Sequence, residues 1–143
     1  RQWSRGLGDV YKRQGHDNRL NHSQNISAVT GAFLAVKKDV WLRLKGLDDI
    51  NFPVNYNDVD FCLRANQIGL KNIYLPQVEA IHFESKTRGK PTGKMFKRWK
   101  KEHKFFRKKW QDVINQDPCY SSSLTKIKED WSLNLSMHNF NLD

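Results

Sequence analysis

The 143-residue chain lacks long hydrophobic runs and has few cysteines. No apolar stretch approaches the ~20 residues that a membrane-spanning helix requires, and no secretory signal pattern is visible. Cys62 and Cys119 have neither the number nor the spacing of a disulfide framework or a cysteine metal site. These absences argue against an integral membrane protein and a disulfide scaffold, and we expect a soluble, cytoplasmic chain. Because residue 1 is arginine, we also expect it to be part of a longer protein.

Basic charge is concentrated in one segment. The net charge is +10 and the mean hydropathy is −0.79. Residues 86–109 hold twelve Lys or Arg and a single acid, Glu102, which leaves 13 bases and 14 acids elsewhere. The basicity therefore belongs to this segment, and such a patch is typical of a module that binds nucleic acid or an anionic surface.

The first third of the chain predicts one strand and one short helix. Residues 1–14 have no regular period and resemble translated adapter sequence, so we assign them no part in the fold. Residues 26–36 are almost all small or apolar, which predicts a strand buried on both faces. Gly31 within this strand predicts a bulge, or a place where another group approaches the backbone closely. A helix over 39–45, closed by Gly46, follows.

The helix over 58–68 is the centre of the prediction. Asn57 suits the N-cap position, and Asp58 and Asp60 lie in the first turn, where the helix dipole favours anions. Two apolar stripes predict burial on most sides. Arg64 lies four residues after Asp60 and should pair with it, whereas Asp58 has no such partner.

The second half predicts strands over 72–75 and 78–83 and a long helix over 92–110. A basic, polar loop over 84–91 separates the second strand from this helix. Residues 111–143 are predicted to be irregular, with an edge strand around Leu133. One face of the long helix is aromatic, with His103 in register: Phe96, Trp99, Phe106, Trp110.

The order of these pieces resembles the C-terminal half of a family 2 glycosyltransferase. The matching stretches are SAVTGAFLAVKK, GLDD, NDVDFCLRANQIGLKNIYLP and IHFESKTRG, and QDPCYSSSLTKIKEDWSL is similar to the tail of the branch that makes surface polysaccharides such as O-antigen. The resemblance covers about residues 15–136. It implies an α/β, Rossmann-like GT-A fold, with residues 15–110 as the C-terminal half ending in the basic helix. Residues 111–143 would pack on it as an irregular tail.

The resemblance also implies roles on the acceptor side of the site. Asp58 matches the general base of these inverting enzymes, which takes the proton of the acceptor hydroxyl. Asn57 stands where many relatives have Glu and is expected to contact substrate. Thr30, Gly31 and Ala32 match the segment that lines the sugar site.

On the donor side the resemblance implies a nucleotide-sugar site that is only partly present. His82 matches a position that reaches the divalent metal (Mn²⁺ or Mg²⁺) or the nucleotide diphosphate. Ser85, Lys86 and Arg88 match a loop that closes over the diphosphate and stabilises it as it leaves. The half that holds the nucleotide is not in this sequence, so we expect the chain alone to be inactive. The acceptor would be a saccharide or a lipid-linked sugar.

Several of these residues have plainer interpretations. Asp58 and Asp60 could simply be dipole-matched acids of a capped core helix. Together they also form a D-x-D, but a metal D-x-D should end a strand rather than open a helix. Glu79 and His82 would point to opposite faces of a strand, so a shared metal is not expected. His82 could be a hydrogen-bonded core histidine, and Arg88 could be solvated.

The alternative function is a non-enzymatic basic module acting through residues 86–109. Its aromatic residues share one helical face, where they are needed for packing rather than for stacking on bases. We therefore expect no nucleic-acid partner. Peripheral contact with an anionic membrane remains compatible with the charge: the lysines would face headgroups while the aromatic face packs on the domain. Insertion of the aromatic face into lipid is the alternative.

Overall fold

The structure is a computed structural model and describes residues 16–79, 93–126 and 132–134. It combines helices with a small two-stranded sheet and is therefore of the α/β class. The sheet contains β1 (Gln24–Ile26) and β2 (Asn72–Tyr74), and 3₁₀ turns occupy His16–Asn21 and Gly31–Phe33. The α-helices are α1 (Lys38–Arg43), α2 (Asn57–Gln67), α3 (Gly93–Lys109) and α4 (Gln111–Asn115).

The predicted strand over 26–36 is largely wrong. Only Ile26 belongs to a strand, β1, which pairs antiparallel with β2 so that Ile26 lies opposite Asn72. The following backbone bonds to α2 instead of to a neighbouring strand: Cys62 contacts the backbone of Val29, and Asp58 accepts the amide of Gly31. Backbone groups satisfied by a helix in this way have no need of a strand partner. The apolar composition therefore signalled proximity to α2, not a doubly buried strand.

Helix α2 confirms its prediction except at its first residue. Asn57 is already helical, and the N-cap is Tyr56, whose carbonyl accepts the Asp60 amide at 2.8 Å. The side chain of Asn57 accepts the Asp58 amide at 2.8 Å instead of capping from outside the helix. Beyond the C-terminal end, Gly69 has a φ of 83°, the left-handed conformation expected there.

Helix α1 is tied to α2 through its C-terminal turn. Lys45 and Gly46 both have positive φ and close the helix, as the glycine predicted. A Cβ on Gly46 would lie 3.0 Å from the indole of Trp41, so no larger residue fits without displacing that ring. Arg64 of α2 donates to the carbonyl oxygens of Leu44 and Gly46, which are the unpaired acceptors at this helix end.

The buried core lies where the C-terminal half of α3 packs on α2. It contains Phe52, Leu63, Phe106 and Trp110. At the other end of α3, Phe96 and Trp99 remain 51% and 39% exposed, so the expectation that the whole aromatic face packs on the domain is wrong. The reason is geometric: the loop that α3 contacts, residues 52–56, packs mainly against the helix from Glu102 onward, and Trp99 reaches it through a hydrogen bond to Tyr56.

The C-terminal residues are more regular than predicted. Helix α4 follows α3 directly, and Asp117 forms a turn by accepting the Cys119 amide at 2.8 Å. The same carboxylate accepts the hydroxyl of Ser27, which attaches this segment to the residues after β1. Leu133 pairs with Leu124 in an isolated antiparallel bridge, as an edge strand would. In the described ranges, no helix has the length and apolarity needed to cross a membrane.

Beyond β2, the predicted strand over 78–83 can be followed only at its start. Val78 and Glu79 are not in a strand, and residues 80–83 lie outside the described ranges.

Candidate active site

Asp58 is held at the start of α2 by two backbone amides. Its Oδ2 accepts the Gly31 amide at 2.8 Å, and its Oδ1 accepts the Val59 amide at 2.8 Å. A carboxylate offers about four acceptor positions, so about two remain for another hydroxyl or amide. The residue is half-buried. The carboxylate is thus fixed in direction while retaining the capacity to accept a proton.

The turn opposite Asp58 contains the three residues predicted to line a sugar site. Thr30 caps it by accepting the Ala32 amide at 3.3 Å. A Cβ on Gly31 would lie 3.0 Å from the Cβ of Asp58. The close approach predicted for Gly31 is therefore confirmed, and the group that approaches is the Asp58 side chain. Thr30, Gly31 and Ala32 are all exposed, so their surface is open to a ligand beside the carboxylate.

The chain enters α2 through a strained residue. Tyr56 has a φ of 65°, and such a conformation costs a bulky residue on the order of 1–3 kcal/mol unless its surroundings impose it. Here they do: the Tyr56 hydroxyl is 2.9 Å from Nδ1 of His103, and its ring stacks on Phe106 with centroids 4.7 Å apart. Burial raises the pKa of the Tyr56 phenol. Tyr56 is thus pinned two residues before Asp58.

Glu102, the single acid of the basic segment, fixes the same loop. The side chain is buried, and its Oε2 accepts both the backbone amide and the side-chain amide of Asn55, at 2.6 and 2.9 Å. Arg98 lies 3.7 Å from the other carboxylate oxygen. The sequence did not identify Glu102, His103 or Tyr56 as contributors to the site. The isolated acid among twelve bases was the available signal, because a charge of the opposite sign in such a run usually has a specific partner.

Asp60, the second acid of the D-x-D, has a structural role. Its side chain is fully buried and receives Trp110 Nε1 at 2.9 Å, Lys109 Nζ at 2.7 Å and Arg64 Nε at 2.7 Å. The predicted pair with Arg64 is confirmed. These three donors occupy both carboxylate oxygens and join α2 to α3. Within the described residues, no group of three or more His, Cys, Asp and Glu side chains is placed to hold a metal ion.

Cys62 lies one helical turn below Asp58 and supports the sugar-site turn. Its sulfur is 3.5 Å from the Val29 amide and 3.8 Å from the Val29 carbonyl oxygen. Burial, and to a smaller extent the negative charge of Asp58, raises the pKa of the thiol. The residue is fully buried, in agreement with the predicted burial of this helix on most sides.

Five of the nine predicted site residues come together in the structure. Asn57 and Asp58 start α2, and the 30–32 turn faces Asp58. The other four fall outside the described ranges, so their grouping with Asp58 stays a prediction: His82, Ser85, Lys86, Arg88.

A comparison with known proteins found a relative of this chain. The chain is similar to a Sinorhizobium fredii (strain NBRC 101917 / NGR234) protein named "Uncharacterized protein y4gI", with 32% identity over 120 residues. That alignment covers 83% of this chain but 13% of the relative, whose name states no activity. No protein-family model and no solved structure matches the chain.

Proposed function

We propose that this chain is the acceptor-side half of an inverting, hexosyltransferase-type glycosyltransferase of the GT-A fold, with Asp58 as the general base. The observation that carries the proposal is the setting of the Asp58 carboxylate. It is fixed by two backbone amides, retains free acceptor positions, and faces the exposed turn at 30–32. A structural acid would instead be paired, as Asp60 is.

The proposed reaction moves one proton and one glycosyl group. Asp58 accepts the proton of the acceptor hydroxyl while that oxygen bonds to the anomeric carbon of a nucleotide sugar. The bond between the anomeric carbon and the diphosphate oxygen breaks on the opposite face, so the configuration inverts and a nucleoside diphosphate leaves. A base positioned in this way contributes roughly 10²–10⁴ to the rate.

The backbone bonds to Asp58 suit this role because they restrict its direction without protonating it. The amides of Gly31 and Val59 hold each oxygen from one side, and a base that is already oriented loses little freedom when substrate binds. Ser85, Lys86 and Arg88 would stabilise the departing diphosphate. The described residues do not contain the ligand set of the divalent metal that the resemblance implies.

The proposal requires that another part of a longer chain supplies the donor site. The alignment with a relative of which this chain covers 13% is compatible with such an arrangement. Residues 15–143 alone, given any nucleotide sugar with Mn²⁺ or Mg²⁺, should transfer no sugar. Measurable transfer by this chain alone would contradict the need for a second half.

The direct test is an assay of the longer protein that contains this chain. It should be incubated with a panel of nucleotide sugars and with free and lipid-linked saccharide acceptors. The proposal predicts transfer from one donor, with release of a nucleoside diphosphate and inversion at the anomeric carbon by NMR. Retention of configuration, or no transfer from any donor, would contradict it.

A further inference from the structure

Helix α3 has two halves with different surroundings. In its C-terminal half, Glu102 and Phe106 are buried, and Trp110 at its end is buried as well. In its N-terminal half, Phe96 and Trp99 are exposed although they lie on the same aromatic face. Within the part of the chain that the structure describes, the domain therefore buries only one end of this face, and much of the other end is accessible to a partner.

The exposed aromatic residues form a stack along the helix. The rings of Phe96 and Trp99 are 5.8 Å apart with an interplanar angle of 14°, and those of Trp99 and His103 are 5.0 Å apart at 15°. Trp99 is thus placed between two parallel rings, three residues before it and four after it. These neighbours cover part of the Trp99 ring, which also forms a hydrogen bond to Tyr56.

Cations surround this stack on the open flank of the helix. Of the nine Lys and Arg in α3, Arg98 and Lys109 lie within ion-pair distance of acids. Lys100 follows Phe96 by one helical turn and places its ammonium 4.8 Å from the centre of that ring. Within the described residues, no carboxylate lies within ion-pair distance of the remaining seven: Lys94, Lys97, Lys100, Lys101, Lys104, Arg107, Lys108.

We propose that the N-terminal half of α3 binds the surface of an anionic lipid bilayer. The exposed parts of Phe96 and Trp99 enter the boundary between headgroups and acyl chains, and Lys97, Lys100 and Lys104 contact lipid phosphates. Aromatic residues beside a lysine-rich face are the composition of helices that lie in a bilayer interface, and Trp is enriched at that depth.

A lipid surface fits these observations better than nucleic acid does. Proteins that bind single strands use aromatic faces on which bases stack, and here the Trp99 ring already stacks on Phe96 and His103. A bilayer surface uses both features: its phosphates contact the cations, and its interface accommodates the exposed aromatic side chains. The sequence alone favoured contact between the lysines and lipid headgroups, with all the aromatic residues packed on the domain. Because Phe96 and Trp99 are exposed, we instead expect these two side chains to insert into the bilayer.

Because the other half of α3 is attached to the domain, binding of the helix to a bilayer would also affect the candidate active site. Glu102 holds Asn55 and Trp110 holds Asp60, so the helix is joined firmly to the segment that carries Asp58. A bilayer bound at Phe96 would therefore fix the orientation of the candidate site relative to the membrane.

The electrostatic part of the proposal can be tested by co-sedimentation of the chain with vesicles. Phosphatidylcholine vesicles containing about 30% phosphatidylglycerol are compared with pure phosphatidylcholine. The double variant Lys100→Gln, Lys104→Gln should bind the anionic vesicles about thirtyfold more weakly, from about fivefold for each lysine. The matched control Lys37→Gln, Lys38→Gln removes the same charge from exposed positions outside α3 and should bind within about twofold of the unaltered chain.

The contribution of the aromatic residues to membrane binding is tested with a second pair of variants. Phe96→Ala should weaken binding to the anionic vesicles about fivefold or more, because a half-exposed ring then has no apolar surface to bury in lipid. The control Ile50→Ala alters a side chain that is 88% exposed elsewhere and should have no effect. Both substituted positions are solvent-accessible, and unchanged circular dichroism would confirm that the helix persists.

Three outcomes would overturn the proposal. The first is no binding of the chain to anionic vesicles. The second is that the control variant Lys37→Gln, Lys38→Gln loses as much binding as Lys100→Gln, Lys104→Gln, and the third is that Phe96→Ala binds as well as the unaltered chain. Binding to single-stranded nucleic acid that is tighter than vesicle binding, and lost in the same lysine variant, would assign the surface to nucleic acid instead. The assay involves no sugar transfer, so any of these results leaves the proposed enzymatic function untouched.

Discussion

At the scale of single residues, Asp58 and Asp60 have the same charge and sequence spacing but opposite environments. Asp60 is fully buried against Trp110, Lys109 and Arg64. Asp58 is half-buried and is held only by backbone amides within the described residues. Side chains two residues apart on an α-helix point in directions that differ by about 200°. The two carboxylates of a D-x-D in the first turn therefore lie in different surroundings. Only the outward-facing one is available for chemistry.

Gly31→Ala tests whether the position of Asp58 matters as well as its identity. The new Cβ would lie 3.0 Å from the Asp58 Cβ, so one of the two must move by a few tenths of an ångström. We expect transfer by the longer protein to fall about tenfold or more, because displacement of about 1 Å can cost about a hundredfold. The unfolding free energy should change by about 1 kcal/mol at most, since the turn is exposed.

Gly93→Ala is the control for this variant. A Cβ at Gly93 meets nothing within 4 Å, so the transfer rate should be preserved. A Gly31→Ala protein with the full transfer rate would show that the contact with Asp58 has no catalytic role.

The burial of Cys62 leads us to expect that part of the folded chain's stability is lost at alkaline pH. Burial raises its thiol pKa above the ordinary value of about 9, so the unfolded chain releases this proton before the folded chain does. The contribution of the buried, neutral Cys62 thiol to the unfolding free energy is fully present below pH 9. It declines as the pH rises toward the thiol pKa of the folded chain, with a slope of up to about 1.4 kcal/mol per pH unit.

Urea unfolding measured at a series of pH values checks this expectation. Cys62→Ala should remove this part of the decline, whereas Cys119→Ala should retain it. An identical pH dependence in the two variants would contradict the assignment to Cys62.

At the scale of elements, the helices and the strand over 72–75 were predicted well, whereas the strand over 26–36 was not. Periodicity and terminal residues identified α1, α2 and α3 to within about two residues, because helix ends depend on local signals such as Gly46 and Gly69. The apolar run at 26–36 had no local signal to separate a buried strand from an extended segment bonded to α2. The loop residues that α3 fixes, Asn55 and Tyr56, are far from it in sequence and could not be predicted.

Asp60→Ala tests the link between α2 and α3. Removing this carboxylate leaves Lys109, Arg64 and the Trp110 indole without their shared acceptor. We expect the unfolding free energy to fall by about 3–5 kcal/mol, the usual cost of breaking a buried ion pair from one side. Asp49→Ala, at an exposed loop acid, should change it by about 0.5 kcal/mol or less. A loss of similar size in both variants would mean that Asp60 does not join the two helices.

At the scale of the whole molecule, several large apolar side chains are exposed within the described residues, including one in the sugar-site turn and one in β2. Phe33 and Ile73 are 57% and 54% exposed, and Leu42 and Val78 are also open to solvent. An apolar surface of this kind commonly marks a contact with another chain or segment. We therefore expect the chain alone to associate with itself or to be only marginally stable.

Sedimentation velocity at increasing concentration, combined with urea unfolding, measures both properties. The account predicts association, or an unfolding free energy below about 5 kcal/mol. A monomer with one cooperative transition above that value would contradict the expectation.

The most direct test of the central claim is the single-turnover rate of Asp58→Asn in the longer protein. The account predicts a fall of roughly 10²–10⁴, with nucleotide-sugar binding nearly unchanged, because the amide cannot take the acceptor proton but still fits the same space. Asp39→Asn, which alters an acid in the first turn of α1, is the matched control and should keep the full rate. An Asp58→Asn protein that retains more than about a tenth of the rate would contradict general-base catalysis by this residue.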